Sequence, residues 1–324
     1  MTESTRLLGR SGIEVSPLGM GCWAIGGGAW GKVDDSESKR ALRRAYDLGI
    51  TFFDTANIYG KGHSEKLIAE ALSDVREKLV IATKFGYTFE EEDAEEDYSQ
   101  STTLNSIRQS CEASLRRLNT DYIDLFQFHI NEYDPDRAFE VRDSLEILVR
   151  EGKIRAYGWS TDFPEGVPTF AEGEFCTAVQ LELNVLADNP IMISVAEALN
   201  LALINRGPLA MGLLTGKFKT GARLPTDDIR GPNSPAWMKF FQAGEPNPEF
   251  LTKLESVREI LQSNGRTLSQ GALAWLWARS PLTVPIPGFK TVAQVEENCG
   301  AITFGALTAE QMTEIAQILE TDEV

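Results

Sequence analysis

Residues 50–60 read ITFFDTANIYG. A run of apolar and β-branched side chains stops on Asp54, and a turn-forming stretch then carries Tyr59. An apolar run that halts at a polar residue is how a strand buried on both faces of a parallel sheet reads. The same design recurs on either side. Upstream lies 17–22 (PLGMGC); downstream lie 79–84 (LVIATK), 123–129 (IDLFQFH), 154–160 (IRAYGWS), 178–183 (AVQLEL), 201–205 (LALIN) and 282–286 (LTVPI). Segments of helical period at 36–48, 64–72, 101–118, 137–151 and 191–200 separate most of these runs. The first of them stops at Gly49, as a helix with a C-cap glycine does. Eight strands alternating with helices predict an α/β fold, a closed (β/α)8 TIM barrel.

Residues 6–15 predict an N-terminal β-hairpin turning at Ser11-Gly12, a short helix is expected after Pro164, and 307–319 predict an added C-terminal helix. Two stretches exceed a minimal barrel. Residues 89–98 carry the acidic run EEEDAEED, expected to be a solvated, mobile loop. Residues 212–248 are rich in Gly, Pro and Asp and predict a long excursion after the seventh strand. With no internal repeat or linker, residues 1–324 predict one barrel domain.

The net charge of −17 argues against a broad attraction to nucleic acid or anionic membrane, so an anionic ligand needs a local cluster of cations. Cys22, Cys111, Cys176 and Cys299 are widely spaced, which predicts reduced thiols rather than a disulfide framework. Only His63 and His129 are present, with no Cys/His cluster, so no metal site is expected. The polar first ten residues do not read as a signal peptide, and no apolar run reaches the ~18 residues of a membrane span. A cytoplasmic protein is expected; oligomeric state is not legible.

In a barrel the chemistry gathers at the C-terminal strand ends, here Asp54, Lys84, His129, Ser160, Gln180, Arg206 and Pro287. One polar strand end is ordinary. An acid, a base and a histidine on three successive strands, all aimed at one mouth, is not. Tyr59 lies five residues past Asp54, where the loop should cross that mouth. A phenol of pKa near ~10 is a poor acid at neutral pH. A lysine ammonium beside it is expected to lower that value, with an aspartate holding the lysine. His129 is placed to orient a carbonyl oxygen, and His63 reads as a surface or capping residue.

The stretch GGGAWGK (26–32) matches GxGxxG at Gly26, Gly28 and Gly31, and nearly matches a P-loop with Val33 in place of Ser or Thr. Trp30 interrupts the turn, and Asp34-Asp35 precede the helix, where acids repel phosphate. The stretch reads as a flexible first loop.

Taken in order, LGRSGIEVSPLGMGCW, FFDTANIYG, VIATKFG, YIDLFQFH, REGKIRAYGWS, VQLELN, GPLAMGLLTGKF and VPIPGFKTVAQVEENCGA resemble the aldo-keto reductase family over nearly the whole chain. The resemblance implies hydride transfer between NAD(P)H and an aldehyde or ketone, without a metal. It implies a catalytic set of Asp54, Tyr59, Lys84 and His129. Ser160 and Gln180 are implied to hold the nicotinamide carboxamide. Gly207, Pro208 and Leu209, with Gly212 and Lys217, are implied to lie along the cofactor. Ile286, Gly288, Phe289 and Lys290, with Gln294, Glu297 and Asn298, are implied to surround its adenosine. Gly21, Cys22, Trp23 and Asp54 complete the cofactor set. Trp23, Trp30, Tyr59, Tyr87 and His129 are implied to meet the small-molecule carbonyl substrate.

Two positions depart from the family pattern. Thr161 replaces an asparagine, leaving a shorter hydroxyl for the carboxamide. Arg206 replaces an aromatic; its planar guanidinium stacks, and its charge is expected to disfavour the oxidised ring. Lys290 favours NADPH, while Gln294 stands where some members carry arginine, which keeps NADH possible. Two other functions remain open: a catalytically silent, cofactor-sensing regulatory subunit, and an aldolase using Lys84 as a Schiff base.

Overall fold

The computed structural model describes residues 5–89 and 98–321. Eight parallel strands form one sheet in sequential order: β1 (Gly19–Gly21), β2 (Phe52–Asp54), β3 (Val80–Phe85), β4 (Ile123–Phe128), β5 (Ile154–Ser160), β6 (Cys176–Glu182), β7 (Ala202–Arg206) and β8 (Thr283–Pro285). The sheet closes where Gly21 pairs with Gly288 and its N–H donates to the Pro287 carbonyl at 3.1 Å. A Cβ on Gly21 would lie 2.6 Å from the Ile286 carbonyl oxygen, so only glycine allows this approach. The fold is the expected (β/α)8 barrel.

Side chains alternate across each strand, and this parity sorts the core. Phe52, Val80, Ala82, Leu125, Ala156, Ala178, Ala202, Ile204, Val284 and Ile286 fill the barrel lumen. Their neighbours of opposite parity, among them Phe53, Ile81, Phe126, Tyr157, Val179 and Leu203, face the helices. The hairpin pairs Arg6–Leu7 with Glu14–Val15 and packs Leu8, Ile13 and Val15 into the same cluster as the lumen residues, plugging one end of the barrel. At the other end the lumen residues turn polar: two positions beyond Phe52, Ala82, Leu125 and Ala178 stand Asp54, Lys84, Gln127 and Gln180.

The helices follow local signals. Asp34 caps α1 (Asp35–Asp47) by accepting from the Ser36 and Glu37 N–H groups, and Gly49 follows with φ 90°. Thr103 caps α3 (Leu104–Leu118), so that helix begins three residues later than the period alone predicts. The remaining helices of the outer layer are α2 (His63–Leu72), α4 (Ala138–Arg150), α5 (Val167–Ala171) and α6 (Pro190–Leu199).

Beyond the excursion come α7 (Pro248–Leu261), capped by Asn247, and α8 (Leu268–Arg279). The sequence did not point to α8. Ten of its residues are buried, from Leu268 to Trp277, so it is covered on all sides and shows no amphipathic period. The chain ends in α9 (Val292–Phe304) and α10 (Ala309–Thr321), the added C-terminal helix. The acidic run at 90–97, expected to be a mobile loop, lies outside the described residues. Among those described, no helix is long and apolar enough to cross a membrane.

Candidate active site

Asp54, Lys84, Gln127 and Gln180 form a closed polar layer at the top of the lumen, each at most 2% exposed. The Lys84 ammonium donates to Asp54 Oδ1 at 2.5 Å, to the Thr55 carbonyl at 2.8 Å and to the Tyr59 hydroxyl at 3.4 Å. The other carboxylate oxygen, Oδ2, accepts from Gln127 Nε2 at 2.9 Å and Gln180 Nε2 at 2.8 Å. Burial opposes the charge on Lys84, but Asp54 and Tyr59 outweigh it and hold its pKa above the ordinary value. A lysine so firmly charged is a poor amine nucleophile, which argues against a Schiff-base role.

Tyr59 sits on the loop after β2, as the spacing predicts. Gly60 (φ 58°) shapes that loop, and Gly26 packs against it so closely that a Cβ would lie 2.9 Å from the Tyr59 carbonyl carbon. The glycines of 26–31 thus shape the first loop and its contact with Tyr59, and the helix after them begins only at Asp35. Burial raises the pKa of Tyr59, and the Lys84 ammonium offsets only part of that rise. The net direction is opposite to the lowering expected from the lysine alone. The phenol therefore keeps its proton at neutral pH, as a donor must.

The His129 ring stands edge-on to Tyr59, with centroids 6.2 Å apart, and edge-on to Tyr87 at 5.9 Å. Burial, then Lys84 and Arg206, push its pKa well below 6.5, so the imidazole is neutral. Trp23 stacks on Tyr59 at 5.9 Å, meets Trp30 edge-on at 5.2 Å and leans on Trp237 at 6.4 Å. His63, as expected, lies on the surface, 2.9 Å from Asp35.

From Tyr59 an open cleft of about 1120 Å³, counting the part open to solvent, runs across the barrel mouth toward α9. Its walls reach from β1 and β2 past β7 and β8 to α9, a span that suits an extended ligand rather than a small carbonyl compound alone. Its walls bring together most of the positions singled out in the sequence. Gly21, Cys22, Trp23 and Asp54 line it from β1 and β2, and Gln180 from β6. Arg206, Gly207, Pro208, Leu209, Gly212 and Lys217 line it from β7 and the excursion. Ile286, Gly288, Phe289 and Lys290 line it beyond β8, and Gln294, Glu297 and Asn298 from α9. Trp30 forms part of the wall as well.

Four expectations change. Thr161 is not on this wall: its hydroxyl donates to the Asn131 carbonyl at 2.6 Å and accepts from the Phe163 N–H. Ser160 is buried and also stands off the wall. Gln180 reaches the cleft, but its amide nitrogen is committed to Asp54 and Gln127, which leaves its carbonyl oxygen for a ligand. Arg206 forms an ion pair with Asp162, itself fixed by the Glu182 N–H at 2.8 Å. The pairing offsets part of the charge on which the expected bias against an oxidised ring rests.

Arg230 is the largest addition to the sequence reading. It makes two hydrogen bonds to Asp228, at 2.8 and 2.6 Å, and stacks over Trp30, Phe218 and Phe241. The excursion carrying it pairs with the first loop: the Ile229 N–H donates to the Ala29 carbonyl at 2.6 Å. Lys290 donates to the Trp30 carbonyl from the other side. Burial lowers the pKa of both Lys217 and Lys290, with the Arg230 charge adding to it and Asp228 opposing it. An anion between them would favour their charged forms. Asn298 Nδ2 and Trp30 Nε1 are buried donors without a partner in the same region. Crowded cations and orphaned donors along one wall fit a phosphate-bearing ligand with a polar heterocycle.

The model of the Aldo/keto reductase family matches residues 17–320. The chain belongs to that family. Members are NAD(P)H-dependent oxidoreductases, and so is this aldo/keto reductase. It is 31% identical to the chloroplastic pyridoxal reductase of Arabidopsis thaliana, over 93% of this chain and 82% of that one. It is 30% identical to the aldo-keto reductase YhdN of Bacillus subtilis, over 96% and 92% of the two chains. Among solved structures it resembles the glycerol dehydrogenase AKR11B4 of Gluconobacter oxydans, with a TM-score of 0.85 and 31% identity over 99% and 97% of the chains.

The four cysteines of this aldo/keto reductase are free and buried. Burial pushes Cys111, Cys176 and Cys299 up to about 12 and Cys22 well above its ordinary value. Thiols so protonated are inert. Iodoacetamide at pH 8 should therefore leave all four unmodified in the native enzyme, read by intact mass, and label them after denaturation.

Proposed function

We propose that this chain reduces an aldehyde or ketone to the alcohol with NADPH, and that Tyr59 gives the carbonyl oxygen its proton. The observation that carries this reading is the Tyr59 hydroxyl, half-buried at the foot of the cleft and 3.4 Å from the Lys84 ammonium. The bound nicotinamide supplies the hydride. Lys84 stabilises the phenolate left when the proton departs, and Asp54 holds Lys84 charged. The neutral His129 ring donates one N–H to the same oxygen and fixes which lone pair faces Tyr59. A protonated His129 would compete with Tyr59 as the acid; its lowered pKa prevents that.

Lys217, Arg230 and Lys290 are the residues we assign to the cofactor's phosphates, Asn298 to its adenine, and the Gln180 carbonyl oxygen to its carboxamide. The chain is 32% identical to a reductase of Schizosaccharomyces pombe named for NADP(+), over 93% of its length, which supports the same cofactor. Trp23, Trp30 and Trp237 form an aromatic wall beside Tyr59, with Tyr87 beside His129. Such a wall suits a bulky, weakly charged carbonyl compound.

Tyr59→Phe should abolish reduction of 4-nitrobenzaldehyde, a loss of about 10²-fold or more, while NADPH still quenches tryptophan fluorescence with a Kd within about threefold of the parent. Strong residual turnover would mean that another group is the acid. Lys290→Ala should weaken NADPH binding about tenfold and NADH binding less, by the same titration, because one charge-assisted contact is lost. Equal loss for both cofactors would place Lys290 away from the 2′-phosphate.

A further inference from the structure

We propose that Gln127 is a positioning residue: together with Gln180 it fixes the Asp54 carboxylate so that the Lys84 ammonium stays directed at the Tyr59 hydroxyl. The inference rests on the reading of Tyr59 as proton donor.

The hydrogen-bond count carries the argument. An ammonium has three N–H groups, and those of Lys84 point to Asp54 Oδ1, the Thr55 carbonyl and the Tyr59 hydroxyl. The third is aimed at Tyr59 only while the other two acceptors stay still. Thr55 is held by the backbone, its N–H donating to the Ala82 carbonyl at 2.8 Å. Asp54 is held by the amides. Gln127 and Gln180 both donate to Oδ2, which keeps that oxygen from swinging onto Lys84. The Gln127 amide cannot simply flip. Its Oε1 accepts from Gln180 Nε2 at 3.2 Å, and turned over it would face Asp54 oxygen to oxygen.

The amides also act electrostatically. Their N–H dipoles offset part of the Asp54 charge, so more of the Lys84 field reaches the phenol. The ionisable groups around Tyr59 are Lys84 from β3, Asp54 from β2, His129 beyond β4, Cys22 beyond β1, and Arg206 from β7 with its partner Asp162. Among the side chains bonded to Asp54, Gln127 and Gln180 are the uncharged ones. Gln180 also faces the cleft, whereas Gln127 is fully buried behind it. A change at Gln127 therefore reaches the proton donor without touching a bound ligand.

The test compares Gln127→Met and Gln127→Glu with the parent and with Tyr59→Phe. Turnover of 4-nitrobenzaldehyde is followed from pH 5.5 to 10, with the Kd for NADPH from fluorescence and the melting temperature alongside. For Gln127→Met we expect kcat to fall roughly tenfold and the basic limb of its pH profile to move up by about half a unit or more. The direction follows from a Tyr59 left facing a less compensated Asp54. Kd should change less than threefold.

In Gln127→Glu the introduced carboxyl, beside Asp54, is protonated at the acid end and donates as the amide does. Turnover should be near the parent's there and fall as that carboxyl ionises. Unchanged kcat and pH limb in Gln127→Met would overturn the proposal. So would a fall in kcat matched by lower melting temperature and weaker NADPH binding with the limb unmoved, since that is a merely structural role. If Gln127→Met does not fold, the pH-dependent rescue in Gln127→Glu decides alone, and its absence overturns the proposal. Retained turnover in Tyr59→Phe would instead sink the proton-donor reading itself.

Discussion

One buried ion pair, Asp54 with Lys84, fixes the geometry of the polar end of this barrel. Taking two charges out of water is expensive, and the attraction between them offsets that cost only if their other hydrogen-bonding capacity is met. Here it is met. Both oxygens of Asp54 and all three N–H groups of Lys84 have partners, supplied by β2, β3, β4, β6 and the loop after β2. The pair thus couples four strands to the loop that carries Tyr59. Removing one member would strand the other charge in the lumen, so the pair acts as a unit.

The rest of the cleft answers a different electrostatic problem. The chain is strongly acidic as a whole, with a net charge of −17, yet its proposed ligand is an anion. The solution is local. Lys217 and Arg230 reach in from the excursion and Lys290 from beyond β8, and Asp228 anchors the guanidinium. Excursion and first loop hydrogen-bond to each other over Trp30, so the charged wall and the aromatic wall are parts of one substructure. On the proposed reading, ligand binding and substrate selection are built on the same loops, while the Asp54–Lys84 pair behind Tyr59 sits on the strands below.

Much of this was legible in the sequence because strand ends are legible. Asp54, Lys84, His129 and Arg206 each stand at the end of an apolar run and Gln180 within one, and barrel topology converts those positions into a shared mouth. Gln127 escaped notice although parity marks it: it lies two residues before His129, on the same lumen face. Reading every second residue back from each strand end would have found it. Asp162, Asp228 and Arg230 had no such signal, since loop positions carry no period and their partners are distant in sequence. The helix α8 was hidden for the opposite reason, being buried on every side. A sequence names the lysine beside Tyr59 but not the loss of solvent around the phenol, which is the larger effect and raises its pKa.

The central claim is that the buried pair makes Tyr59 a proton donor rather than merely holding the barrel together. The most direct measurement is kcat/KM for aldehyde reduction in the double variant Asp54→Asn/Lys84→Met. Removing both charges avoids leaving either one stranded. Our account predicts a folded protein that binds NADPH much as the parent does, with kcat/KM lowered about 10²–10⁴-fold. A double variant within threefold of the parent would contradict it and reduce the pair to a structural role.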